Sequence, residues 1–461
     1  MVSRVKLTDV PVPVTEIPTE YPELPREVYE ARLERLRKRM ESEGLDAVIV
    51  YADREHAANF AYLAGFGPRF EEALLIVPPS GIPTAVLGNE NIDMVRYTQA
   101  ELKGVHYASF SLIGQPREDV PQITEVLKQA GVSKGMTVGL VGWKYFEKLD
   151  GCRPDSIEVP HYLVEAVQEV TGTEARNATA IFMSPADGLR TVLEVEAIVA
   201  FEYAACLVAK SVLDVMDNVA VGKTEMEIAS AFQNMGVPLS VHPMLSVGEK
   251  ARFGLTSPTG RKAALGDFFT TAYGIEGALC CRSAFIAAGP DDLPAEIQDW
   301  LEKVAVPFYA TAAQWYETIG IGVRGGDIWD LAETNLPREK YGWQLNPGHF
   351  IAADEWVSTP FTPGSDVELK SGNYMQFDLI IAPEAPYYGA DLEDGLVLAD
   401  AHLRARLKEE YPKVWARFER RRRYVQETLG INLREEVLPM SDILGYYRPF
   451  LLSPGQVLVV R

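Results

Sequence analysis

The chain has 461 residues, 47% of them hydrophobic and 24% charged, which excludes a disordered or fibrous protein. At about 150 residues per domain, that length calls for more than one domain. The 44 Lys and Arg stand against 65 Asp and Glu, a net charge of −21 whose field repels phosphate, so nucleic acid and anionic membrane are not expected partners.

Met1 to Leu7 lacks the apolar core of a signal peptide, and no apolar run approaches membrane-spanning length. Four cysteines, two of them adjacent (Cys280, Cys281), make neither a disulfide framework nor a zinc knuckle, and a cytoplasmic protein is expected. Residues 1–25 carry Pro11, Pro13, Pro18, Pro22 and Pro25 without helical period, which predicts an extended arm. From Arg26 to Glu43 the apolar Val28, Leu33, Leu36 and Met40 recur every three or four residues, an amphipathic helix that Gly44 stops. Apolar runs at Ala47–Tyr51, Ala73–Val77, Thr84–Leu87 and Thr137–Val141 read as strands, with helical stretches at 91–101, 119–130 and 160–170. Residues 26–184 are therefore expected to form an α/β domain. The turn-rich run Met183-Ser184-Pro185-Ala186-Asp187-Gly188 marks its end.

Beyond it a long helix is predicted over 192–217, then a second that starts at Thr224 with Glu227 completing a capping box. Strands are expected around 265–274, 278–287, 374–382 and 394–399, and helices near 294–319 and 326–335. Residues 401–461 are expected to be a helical extension. Within it His402 to Gln426 is helical in pattern and carries Arg420 to Arg423, read as a solvated helix face.

Arg190 with Glu194, Glu196 and Ala197, then Val221-Gly222-Lys223-Thr224-Glu225, resembles the entry to the catalytic domain of the creatinase/aminopeptidase P/prolidase (M24 peptidase-like) superfamily. The resemblance continues in order through Gly266-Asp267, Arg282, Pro347-Gly348-His349, Gly372 to Asp378 and Leu392-Glu393-Asp394. In the N-terminal half, Asn59-Phe60-Ala61-Tyr62-Leu63-Ala64-Gly65 is similar to that superfamily's N-x-x-Y-L-x-G segment. The resemblance spans roughly residues 26–400. It implies the α/β N-terminal domain plus an α+β pita-bread domain over 185–400, two pseudo-symmetric halves around a curved antiparallel sheet.

The peptidases of this superfamily hold two divalent ions with two aspartates, a histidine and two glutamates, the anionic oxygens offsetting the ions' charge. Carried over, His349, Asp378 and Glu393 stand at three of those positions, but the two aspartates fall on Ala272 and Leu279. A peptidase histidine near the scissile bond falls on Leu255, and a second prolidase histidine on Trp356. Two-metal chemistry is thereby disfavoured. No cofactor is expected, with a single divalent ion on His349, Asp378 and Glu393 as the alternative.

The resemblance extends to creatinase, a metal-free branch in which carboxylates hold a cationic substrate while a histidine moves protons. By that likeness the expected function is metal-independent hydrolysis of a C–N bond in a small cationic or zwitterionic metabolite, a guanidino, amidino or N-substituted amino acid. His349 is the expected acid/base, and Asp378 and Glu393 the cation holders. Ectoine hydrolase, of the same superfamily, widens the substrate range to cyclic amidines. A non-catalytic binder on a degraded scaffold and a single-metal Xaa-Pro peptidase stand beside this reading.

Further candidates for the substrate pocket are Tyr273, Glu276, Trp356 and Cys281. Strand alternation points Cys281 the same way as Leu279 and points Cys280 away, so Cys281 is read either as a thiolate nucleophile or as a small buried hydrophobe. Phe66-Gly67-Pro68-Arg69-Phe70 resembles the creatinase segment whose arginine binds the substrate carboxylate from the neighbouring subunit, which implies a homodimer and makes Arg69 a carboxylate clamp. Arg324, flanked by glycines, is the other candidate for that part.

Overall fold

The computed structural model describes residues 2–147, 150–254 and 256–461. They form two compact units, one of residues 23–190 and one of residues 1–22 together with 191–461. The division falls after Arg190 rather than after Ser184. Neither the N-terminal arm nor the C-terminal extension stands as a separate body, because both belong to the larger unit. The reason for the arm is backbone pairing. Val5–Asp9 (β1) runs antiparallel to Gln456–Val460 near the other end of the chain, with Val5 opposite Val460 and Asp9 opposite Gln456.

The smaller unit is a mixed six-stranded sheet of Ala47–Ala52 (β2), Ala73–Val77 (β3), Thr84–Leu87 (β4), Lys103–His106 (β5), Val138–Val141 (β6) and Arg176–Asn177 (β7), in the order β5-β4-β3-β2-β6-β7. Runs such as Ala73–Val77, buried at every residue, read as continuously apolar because both sheet faces are covered. The helix Arg26–Glu43 has the bounds its period predicts. Gly44 ends it in the left-handed region at φ 65°, where a Cβ is costly. The stretch 91–101 is not the helix expected. Only Ile92–Arg96 forms a 3-10 turn, since Ile92 and Val95 pack against Gly104 of β5.

The larger unit is built on an antiparallel sheet of Val241–Val247 (β8), Phe268–Ile275 (β9), Ala278–Phe285 (β10), His349–Phe350 (β11), Tyr374–Phe377 (β12) and Leu392–Leu398 (β13), ordered β11-β12-β13-β10-β9-β8. Val437–Pro439 (β14) takes over the edge of β13 beyond its contact with β10, and Gln456–Val460 is β15. The helix Val195–Asp217 packs along β9 and β10. Helix Val306–Thr318 sets Phe308, Trp315 and Tyr316 on Phe377 of β12. That helix starts later than its periodicity suggests. Pro307 lacks an amide hydrogen, and the preceding Leu301–Ala305 winds as a wider π turn. Thr224 caps its short helix as expected, accepting from the Glu227 amide at 3.1 Å.

The extension 401–461 is helical only in part. Ala401–Glu410 and Pro412–Arg423 are separate helices broken at Pro412, and β14 and β15 follow. The arginine run is a solvated face only in part, with Arg423 exposed and Arg421 buried. Arg417 and Arg421, four residues apart on one side of the helix, are both buried. Arg417 pairs with Glu202 at 2.5 Å, and Arg421 pairs with Glu202 at 2.6 Å and Asp442 at 2.7 Å.

A second buried pair ties the centre of the sheet together. Arg282 of β10 reaches Asp394 of β13 at 2.8 Å and also donates to the carbonyl oxygens of Ile443 and Tyr446. Removing one partner of such a pair leaves a buried charge uncompensated. Arg282→Met should cost about 3–5 kcal/mol of stability, read from the midpoint of urea unfolding. Adding Asp394→Asn should recover part of that loss, and an additive double variant would show that the pair does not couple.

Candidate active site

Register and strand alternation assemble the site. Across the sheet His349 stands opposite Gln376, Gln376 opposite Gly395, Glu393 opposite Cys281, and Cys281 opposite Ala272. Opposed residues share a face, as do residues two apart, so Asp378 and Leu279 join the same side. Asp391 continues it, since Ser283 donates its amide to the Asp391 carbonyl oxygen. The intervening Cys280, Arg282, Phe377 and Asp394 point to the other, helix-covered face. Cys280 accordingly lies 3.5 Å from Asp394 Oδ1.

His349 is buried at 2% exposure. Its Nδ1 lies 3.2 Å from the Phe350 carbonyl oxygen, which only accepts, so Nδ1 carries the hydrogen and the neutral ring keeps its lone pair on Nε2. That nitrogen lies 3.3 Å from Glu393 Oε1 and 3.7 Å from Asp378 Oδ2. Trp356 stacks on the ring with centroids 4.3 Å apart and planes at 18°, fixing its orientation. The Cys281 thiol donates to Glu393 Oε2 at 2.7 Å. Ala272 and Cys281 keep 7% exposure and Leu279 6%, so this face borders a narrow space rather than solid packing.

The electrostatics follow from acids gathered, among the described residues, around the His349 imidazole with no arginine or lysine bonded to them. Burial and the neighbouring Glu393 hold the Asp378 carboxyl well above its ordinary range. Burial and Asp391 do the same for Glu393. Burial raises Glu355, the neighbour of Trp356. Asp391 is part-exposed, but its Oδ1 is buried and its carboxyl is pushed up to about 7 by burial. Burial lowers His349 against the opposing pull of Asp378.

The donor set decides which ions the site suits. Ala272 and Leu279 face it with hydrocarbon where the resemblance requires two aspartates, so the residues present do not fit a pair of ions. They do fit one. Ligand atoms of His349, Asp378 and Glu393 all lie within 4.8 Å of one another.

The structure thus gathers His349, Asp378, Glu393, Trp356 and Cys281. It places Tyr273, Glu276 and Arg324 elsewhere in the larger unit. Tyr273 lies on the opposite face of β9 from Ala272, with its hydroxyl donating to the Gln233 carbonyl oxygen at 2.9 Å and its ring against Phe232. Glu276 is exposed in the turn between β9 and β10. Arg324 is exposed at the start of the helix Gly325–Asn335 and pairs with Asp327 at 2.7 Å. Arg69 is exposed in the smaller unit with φ 58°, an uncommon backbone state for a residue with a Cβ. Leu255 lies outside the described residues.

The thiolate reading of Cys281 is corrected. Arg282 faces away from it, and burial together with Glu393 holds the thiol well above its ordinary pKa. Two polar residues of this face were not singled out from the sequence, Gln376 and Asp391. Each lies two positions from a site acid, Asp378 and Glu393, and the period of a strand is the signal that finds them.

Residues 32–155 match the Creatinase/Prolidase N-terminal domain family. No curated protein matches the sequence. Among solved structures, the prolidase from Pyrococcus horikoshii OT3 is similar at TM-score 0.62 and 13% identity over 80% of this chain and 95% of that one. Dipeptidase PepE from Mycobacterium ulcerans gives 0.60 and 17% over 82% and 95%. The Xaa-Pro dipeptidase from Bacillus anthracis gives 0.60 and 15% over 81% and 96%. The chain has the creatinase/prolidase fold, an α/β N-terminal domain and a pita-bread domain. At these identities the likeness carries the fold and not the reaction.

Two measurements test the site. With iodoacetamide at pH 8, the exposed Cys152 should be alkylated in the native protein while Cys281 stays unmodified, as read by peptide mass spectrometry. Prior labelling of Cys281 would restore the thiolate. A carboxyl whose folded pKa lies above its unfolded value favours the native state at low pH, and that contribution is lost as pH rises through the folded value. For Asp391 the window runs from about 4, the unfolded value, to about 7. In chelator-treated protein the melting temperature should therefore gain less from Asp391→Asn at pH 4 than at pH 8, and an equal gain would remove the effect.

Proposed function

We propose that this chain is a metal-independent hydrolase of a C–N bond in a small cationic or zwitterionic metabolite carrying a guanidino, amidino or N-substituted amino group. One observation carries the reading. Asp378 and Glu393 converge, buried, on His349 across from Ala272 and Leu279, and Arg282, next to Cys281 on strand β10, is committed to Asp394 on the other face of the sheet. Two such carboxylates, once ionised, repel each other unless a cation lies between them. A planar nitrogen cation compensates them and accepts their geometry through charge-assisted hydrogen bonds.

In this mechanism Asp378 and Glu393 bind and orient the substrate cation. Nε2 of His349, its lone pair directed at the site by the Nδ1–H bond to Phe350, takes a proton from water as the oxygen adds to the electrophilic carbon. The same nitrogen returns that proton to the departing nitrogen as the C–N bond breaks, so water is split across the bond and the histidine ends as it began. Trp356 keeps the imidazole in the plane this exchange requires and seals the ring from bulk water. The substrate is a small molecule and the enzyme a cytoplasmic homodimer in this proposal. Among the described residues no helix is long and apolar enough to cross a membrane.

The convergence of three donors favours a second reading, a single-metal Xaa-Pro peptidase in which His349, Asp378 and Glu393 hold the ion. A metal there would supply Lewis-acid polarisation of a carbonyl.

Metal analysis and turnover separate the two. Protein purified without chelator should carry no stoichiometric divalent ion and should hydrolyse a guanidino, amidino or N-methyl amino acid from a panel. His349→Ala should lower kcat by about 10²- to 10⁴-fold with its melting temperature retained. One equivalent of tightly held metal, or activity restored only by added Mn²⁺ or Zn²⁺, would overturn metal independence.

A further inference from the structure

We propose that the substrate of this site carries, beside its nitrogen cation, a hydrocarbon arm and no second charge: an N-alkyl guanidinium or amidinium rather than a zwitterionic amino acid. This inference rests on the reading above and narrows the substrate within it.

The first support is the register of the sheet. Met244 of β8 stands opposite Ala272 of β9, Ala272 opposite Cys281 of β10, and Cys281 opposite Glu393 of β13. Phe377 pairs with Asp394, so the next antiparallel step sets Asp378 beside Glu393. One row of side chains on one face therefore crosses five strands, from two carboxyls through a thiol to a methyl and a thioether. At about 4.8 Å per strand, Met244 lies about 14 Å from Glu393 along that row. Leu279, two residues from Cys281 and opposite Gly274, widens the apolar end.

The second support is access. Met244, Ala272, Leu279, Cys281, Glu393 and Asp378 each keep between 3% and 9% exposure. On the opposite face Leu245, Tyr273, Cys280, Asp394 and Phe377 keep 0% or 1%. The space that borders the acids thus continues over the hydrocarbon of β8, β9 and β10. Covering such surface with another hydrocarbon is favourable, because both leave water.

The third support is charge. A zwitterion bound along the row would need a basic side chain for its carboxylate. Among the described residues, Arg282 is the one lysine or arginine within strands β8 to β13, and Asp394 holds it on the other face. Strand β8 also carries His242, which is exposed in the bulge before Met244 and lies within electrostatic reach of the acidic Glu355. A carboxylate laid against Ala272, Leu279 and Met244 would leave water with no donor to receive it, which is costly. An alkyl chain meets no such penalty there.

The test is calorimetric titration of the full-length protein with guanidinium, n-butylguanidinium and 4-guanidinobutyrate. Affinity of the wild type should rise about fourfold per methylene from guanidinium to n-butylguanidinium. The zwitterion 4-guanidinobutyrate should bind at least about tenfold more weakly than n-butylguanidinium. Leu279→Asn and Met244→Gln should each cut the preference for n-butylguanidinium over guanidinium by about fivefold or more, with melting curves reporting the fold of each variant. Met244 is the more exposed of the two and its replacement close in shape, so that variant keeps the test open should Leu279→Asn fail to fold. A preference that survives in every folded variant would overturn the inference, since the arm would then lie elsewhere. Affinity that ignores chain length would also overturn it and leave the proposed function standing. So would equal binding of 4-guanidinobutyrate, because a cation from outside this sheet, Arg69 foremost, would then receive the carboxylate. No binding of any of the three would overturn the inference, and tight uptake of Mn²⁺ by the same protein would remove the proposed function as well.

Discussion

Glu393 and Asp394 are neighbours in the chain and have opposite surroundings, and the character of the site follows from that difference. Strand alternation sends them to opposite faces of the sheet. Asp394 meets the Arg282 guanidinium and the Gly445 amide, so its charge is answered within the fold. Glu393 meets a thiol and an imidazole whose lone pair faces it. One face is thus electrically complete and structural, and the other is left with a deficit of positive charge.

The rest of the larger unit shows that this deficit is not a general habit of the chain. Where an acid is buried elsewhere, an arginine or a set of donors accompanies it. Burial works against ionisation of Glu202, yet Arg421 and Arg417 hold its carboxyl below the ordinary range. Glu225, also fully buried, accepts from the Val247 and Thr259 amides and from Lys250. Against that pattern the face that carries Asp378, Asp391 and Glu393 is the exception. Exceptions to local consistency are where function is expected to reside.

Much of this was readable before any coordinates. The helix from Arg26 to Glu43, its Gly44 stop and the Thr224–Glu227 cap are local events, decided by residues within a turn or two of each other. The orientation of Cys281 followed from a period of two. What escaped the sequence is whatever depends on a distant partner. The strand Val5–Asp9 looks like a proline-rich arm until its mate appears more than four hundred residues later, and Arg421 looks solvated until Glu202 is known to lie beneath it. Arg324 shows the converse, a residue whose glycine neighbours suggested a special part and whose bond to Asp327 is an ordinary helix-start bridge. Gln376 and Asp391 each lie two residues from a site acid, Asp378 and Glu393, so the same period of two places them on that face.

The pairing of β1 with β15 has a consequence for how the molecule is made. Residues 23–190 are a continuous stretch, and their own sheet can be completed as soon as they have left the ribosome. The larger unit cannot follow suit. Its earliest strand must wait through the synthesis of nearly everything else before Gln456–Val460 arrives to receive its backbone hydrogen bonds. Loop closure over such a distance is slow and comes late. The nascent protein therefore carries an unmatched β edge until residues 456–460 have been made, and the prolines at Pro11 and Pro13 that follow that strand shorten the segment exposed to stray pairing with other chains.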